Sequence, residues 1–144
     1  MKVLSNISWV YYVNEEAASK FKSDKVGKWM YFFVGKDFAE TICKNAVEQH
    51  IVAEAKHSNA SEGVCCFYLN CDDIAAHKRC ITYFIENDLI RKTKTGKLYN
   101  ISFKVDTQTR DGKYGSDFQP NIKLTDFVNL ETSEWIEMEV PVSE

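Results

Sequence analysis

A chain of 144 residues, 44% hydrophobic and 27% charged, is sized for one domain over 1–144 and carries enough apolar residues to fill a core, which excludes a disordered chain. Eighteen Lys and Arg against 21 Asp and Glu leave a net charge of -3, the opposite of the basic surplus with which a protein coats duplex DNA. No leading apolar run of signal-peptide length and no stretch near the roughly 20 residues of a membrane helix is present, so a cytoplasmic chain with no membrane partner is expected.

Residues 8–13 (SWVYYV) read as a first strand rich in Trp and Tyr. Asn14 caps a short helix over 15–22, with Glu15 and Glu16 at its positive end. Residues 28–34 (KWMYFFV) form the most apolar run, which reads as a strand buried on both faces at the centre of a sheet. Asp37 caps a second helix to about 50, with Phe38, Ile42, Cys43, Ala46 and Val47 on one stripe. Residues 51–56 read as a short strand and 63–70 (GVCCFYLN) as a buried one. Asp72 or Asp73 caps a third helix that ends near 87. Further strands are expected at 98–105 and 118–124, with an edge strand at 135–140. No helix in the last third supplies the crossovers that parallel strands need. The expected fold class is therefore α+β, an antiparallel or mixed sheet with about three helices on one face.

The motifs of phosphate loops, dinucleotide folds, zincins and nucleophile elbows are absent. Five cysteines, an odd number, include no Cys-x-x-Cys pair. They read as reduced, buried small hydrophobes, with Cys65 and Cys66 on opposite faces of one strand. His50, His57 and His77 lie far apart and read as surface or core-edge residues. No cofactor, metal or catalytic residue is assigned.

Residues 99–115 (YNISFKVDTQTRDGKYG) stand out. Alternation sets Tyr99, Ile101, Phe103 and Val105 on one face, and Asn100, Ser102, Lys104 and Asp106 on the other. Thr107, Thr109, Arg110, Lys113 and Tyr114 follow. The plain reading is a solvated face and a hydrophilic hairpin. The functional reading is a groove for an anion, because Lys and Arg give charge-assisted bonds to phosphate and Thr gives neutral ones. Lys56 with His57 forms a second cluster at a strand end. Trp9, Tyr11, Trp29, Tyr31 and Tyr68 are either core or a stacking platform for bases.

The segments GKWMYFF (27–33), AEAKHS (53–58), GVCCFYLNCDD (63–73) and the 99–115 run follow in an order that resembles the basophilic leukemia expressed protein family. That family in turn resembles the mRNA cap-binding translation initiation factors in fold. The resemblance covers about residues 25–115. It implies a curved antiparallel sheet backed by helices, with the ligand on the concave face. The family-like positions are Lys28, Trp29, Lys56, Tyr68, Lys104, Asp106, Thr109, Gly112 and Tyr114. Cap-binding proteins clasp a methylated purine between two tryptophans, and no Trp lies between Trp29 and Trp135 here, so the resemblance does not extend to that sandwich.

Together these readings name Lys56, Lys104, Asp106, Thr109, Arg110, Tyr114, Trp29 and Tyr68 as ligand-binding residues. The expected partner is a nucleotide, RNA or phosphorylated small molecule on the concave face. One alternative is a protein–protein interaction module, of the kind a phage or mobile element encodes, working through a sheet edge. A third reading, a phosphoesterase or nuclease using Asp106, Lys104 and His57, is demanded by no spacing in the sequence.

Overall fold

The computed structural model describes residues 1–106 and 121–136. Six strands form one open sheet: β1 (Lys2–Ser5), β2 (Trp9–Val13), β3 (Val26–Val34), β4 (Glu54–Ser58), β5 (Glu62–Asn70) and β6 (Lys104–Val105). Their spatial order is β1-β2-β4-β5-β3-β6, and every neighbouring pair is antiparallel. Three helices, α1 (Glu15–Ala18), α2 (Lys36–Glu48) and α3 (Ile74–Glu86), complete an α+β fold. No helix among the described residues is long and apolar enough to cross a membrane.

The two-residue period of a strand sorts the sheet into two faces. One carries Tyr12, Ala55, His57, Cys65, Phe67, Trp29 and Phe33, all buried. The two long helices cover it. From α2, Cys43 Sγ lies 3.8 Å from the Lys56 carbonyl, and Tyr83 Oη of α3 donates 2.7 Å to the Ile42 carbonyl. Phe84 meets Phe67 edge to face at 5.1 Å. Burial of such rings supplies most of the cohesion of a domain this size.

Both buried histidines are core residues with complete partners, not surface groups. Trp29 Nε1–H donates 3.0 Å to His77 Nδ1, so His77 carries its proton on Nε2 and donates to the Cys71 carbonyl at 2.9 Å. Tyr12 Oη lies 3.2 Å from His57 Nε2, whose Nδ1 donates to the Ser58 carbonyl at 3.0 Å. An imidazole fits a core only when both ring nitrogens are satisfied.

Several expected boundaries shift for visible reasons. The first helix stops at Ala18 because the Asn70 side chain takes the next polar groups: Lys22 N–H donates to its Oδ1 and its Nδ2 donates to the Lys20 carbonyl. Gly35, at φ 106, holds the N-cap of α2, so the helix starts before Asp37, which sits in its first turn. Asp73 rather than Asp72 caps α3, accepting from Ala76 N–H at 3.1 Å. The Ala46 carbonyl accepts both Ile51 and Val52 N–H, which delays the next strand to Glu54.

Strand β3 is not central. It is fifth of six, and Phe32 and Val34 are 66% and 83% exposed. The expected strand over 98–105 shortens to Lys104–Val105, because Ser102 bridges to Lys123 and Leu98 to Lys92. Of the expected 118–124 strand, Leu124 opens a 3-10 turn (Leu124–Asp126) and residues 118–120 lie outside the described residues. Trp135 makes one bridge to Val128, and 137–140 also lie outside them.

Candidate binding face

Among the described residues neither long helix lies on the second face of the sheet, although Cys66 and Tyr68 on it are only 3% and 6% exposed. Its side chains fall into cross-strand rows set by the register. One row runs Lys104, Lys28, Tyr68, Glu54, Val13 and Lys2 across β6, β3, β5, β4, β2 and β1. The next runs Met30, Cys66, Lys56, Tyr11 and Leu4. Trp9 lies opposite Ser58 in the row beyond. A face so rich in lysine and aromatic rings is unlike the opposite one, where both histidines are sealed in.

Lys56 is the centre of this arrangement. Its Nζ stands 3.9 Å from the Trp9 ring centroid, 5.6 Å from Tyr11 and 5.8 Å from Tyr68. Three negative ring faces around one ammonium hold it by cation–π attraction, about 0.5–1 kcal/mol for an accessible contact. No carboxylate lies within ion-pair distance of Lys56 among the described residues. Aromatic rings hold its ammonium, and no acid among the described residues pairs with it.

Around it the electrostatics are dense. Lys28 Nζ pairs with Asp106 Oδ1 at 3.1 Å, both side chains largely covered. Lys104 lies directly across from Lys28, so two cations face each other in one row; like charges so placed repel, and Asp106 relieves the repulsion. Burial raises the Glu54 carboxyl above its ordinary range, with Lys56 opposing and Asp106 adding to the rise. Burial pushes the Cys66 thiol up to about 11 against the pull of Lys56 and Lys28. Burial likewise raises the Tyr68 phenol, helped by Cys66 and Asp106. Lys56, Lys28 and Lys104 against Glu54 and Asp106 leave this part of the two rows one charge positive, which suits an anion.

Of the eight residues named from the sequence, Lys56, Lys104, Asp106 and Tyr68 share this face. Trp29 does not. It is 0% exposed on the helix face, in edge contact with Phe103 and Phe127, so its assignment as a ligand-contacting residue is corrected. Thr109, Arg110 and Tyr114 lie outside the described residues. The pairing of Lys56 with His57 also fails, because neighbours on a strand point to opposite faces; His57 is in the core and unavailable as an acid–base group. Lys28 and Glu54 join the site without having been assigned to it. Their membership depends on which strands lie side by side, which no local pattern carries. Among the described residues no three His, Cys, Asp or Glu side chains are grouped to hold a metal. Comparison with protein-family models, curated proteins and solved structures finds no match.

Proposed function

We propose that the lysine-rich second face of the sheet binds a nucleotide or a short single-stranded RNA. The observation that carries this reading is the lysine at the centre of three aromatic rings: Lys56 beside Trp9, Tyr11 and Tyr68. One phosphate is met by Lys56 and another, farther across the sheet, by Lys28 and Lys104, while a base stacks on the Trp9 or Tyr11 ring. Stacking of this kind contributes about 1–3 kcal/mol per base and tolerates any sequence, since every base has a π face. Trp9 is the only tryptophan on this face among the described residues: Trp29 is in the core and Trp135 lies beside Lys78 and Arg79 on the helix side. A base therefore stacks on one indole and is not clasped between two.

The test is titration with adenosine and guanosine monophosphates and a six-nucleotide single-stranded RNA, followed by tryptophan fluorescence and filter retention. Lys56→Ala and Trp9→Ala should each weaken binding about tenfold or more while the melting temperature stays within a few degrees. With three phosphate contacts, log affinity should fall against log salt with a slope of about -2, from roughly -0.7 per contact on single strands. Affinity that is indifferent to both substitutions would retire this reading.

A further inference from the structure

After the Lys28–Lys104 pair, β3 and the chain preceding β6 part company. The register, if continued, sets Met30 opposite Ser102 and Phe32 opposite Asn100. Instead Phe103 N–H donates to the Ile122 carbonyl and Leu124 N–H to the Ile101 carbonyl, each at 2.9 Å. The partner that alternation assigns to β3 is thus drawn off to residues 122–124. A cleft of about 610 Å³ opens in its place, walled by Met30 and Phe32 on one side and Asn100, Ser102 and Arg91 on the other.

The backbone of β3 addresses this cleft. Gly35 N–H bonds to Ser61 and Cys71 N–H to the Lys25 carbonyl, both at 2.8 Å and both on the β5 side. Antiparallel ladders alternate, so the odd-numbered residues of β3 spend their polar groups on β5. Met30, Phe32 and Val34 direct theirs outward, and no strand pairs with them there among the described residues. Side chains flank the edge on both faces: Phe32 and Val34 are exposed on one, and Tyr31 packs on the exposed Phe38 ring at 6.1 Å on the other. An unprotected apolar edge is a template for another strand.

Charge selects the kind of strand. Arg91 and Lys104 line the cleft, are exposed, and enter no ion pair among the described residues. One carboxylate, Asp88, stands against them. We infer that the Met30, Phe32 and Val34 edge of β3 takes up an extended segment of a partner protein as an added strand, apolar and acidic residues alternating. Its apolar side chains lie against Phe32 and Val34, and its carboxylates, on the opposite face beside Tyr31, meet Arg91. Main-chain bonds provide the affinity and the alternation provides the specificity.

A fluorescein-labelled octapeptide of alternating valine and glutamate is the probe. It should bind saturably, and binding should fall at least about tenfold with a peptide N-methylated at every second amide, with lysine replacing glutamate, or with Arg91→Glu in the protein. Phe32→Pro should abolish binding and keep the fold, since proline is tolerated on a strand edge that faces outward. Amide exchange at Phe32 and Val34 should slow when the peptide is present. Lys56→Ala should leave peptide binding unchanged, which separates this edge from the site around Lys56. No binding at about 1 mM peptide, the weak limit near -4 kcal/mol, would overturn the inference. So would equal binding of the methylated peptide, unaltered exchange at Phe32 and Val34, or a concentration-dependent dimer whose β3 edges occupy each other.

Discussion

The Trp29–His77–Cys71 chain makes stability depend on pH in a way that can be worked through. Trp29 donates to His77 Nδ1 and His77 donates to the Cys71 carbonyl, so the neutral ring with its proton on Nε2 satisfies all three groups. A second proton on Nδ1 would face the indole N–H, donor against donor. Burial lowers the His77 pKa below its ordinary value, against smaller opposing effects of the Cys71 carbonyl, Asp73 and Asp72. In the unfolded chain the imidazole takes up its proton near 6.5. The unfolded state therefore binds more protons below that pH, and the stabilisation present above it is lost as pH falls toward the folded-state value. The slope is at most about 1.4 kcal/mol per pH unit for one proton, or about 4 °C per unit for a chain of this length. Thermal melts from pH 7.5 to 5.5 should show a plateau above 7 and a decline below 6.5. His77→Phe should lower the plateau by about 1–3 kcal/mol, because the indole N–H is orphaned, and should flatten the decline. Parallel wild-type and His77→Phe curves would refute the reasoning.

A Cβ added at Gly27 meets the Lys104 carbonyl and the Phe103 ring. Gly27→Ala should therefore force β6 off β3 and cost about 1–3 kcal/mol, the usual range for overpacking; an unshifted urea midpoint would contradict the tight approach. Cys43, Cys65, Cys66 and Cys80 are buried and Cys71 is half-buried; burial raises the thiols of Cys66, Cys71 and Cys80, and the contact with Cys65 together with burial raises that of Cys43. Ellman's reagent at pH 8 should modify Cys71 first and slowly in the native protein and all five cysteines after denaturation; a fast second thiol would contradict this packing.

Elements whose signal is local were legible in the sequence. The Asn14 cap, the α2 stripe of Ile42, Cys43, Ala46 and Val47 and the alternation that splits Cys65 from Cys66 each lie within a few residues and are present in the fold, whereas Phe38, read as part of that stripe, is exposed. Strand β1 gave no such signal, because all four of its residues are exposed and pattern-free. Its existence rests on the Asn6 side chain, which accepts from Ser8 and Trp9 N–H and turns the chain back. The KWMYFFV run misled in a specific way. Continuous apolarity reads as burial on both faces, yet Phe32 and Val34 are apolar and exposed. Hydropathy reports what a side chain prefers, and a binding edge is a place where the preference is left unmet.

The same distinction governs the candidate face. Lys56 and Trp9 are 47 positions apart, and their contact follows from β2 and β4 being neighbours. The sequence places β3 next after β2 among the long strands, and a meander would put them side by side. The sheet instead inserts β4 and β5 between them. That insertion brings Lys56 under Trp9 and Tyr11, sets Tyr68 beside Lys28, and moves β3 outward until the outer side of its second half has no strand against it among the described residues. One topological choice thus produces both the lysine among three rings and the open edge at Phe32. The two features lie on different strands, β4 with β2 for one and β3 for the other, and use different chemistry, ring faces and ammonium groups at the first and main-chain donors and acceptors at the second. A ligand on the face and a strand on the edge therefore do not compete for the same atoms except near Lys104, which stands at the boundary of both.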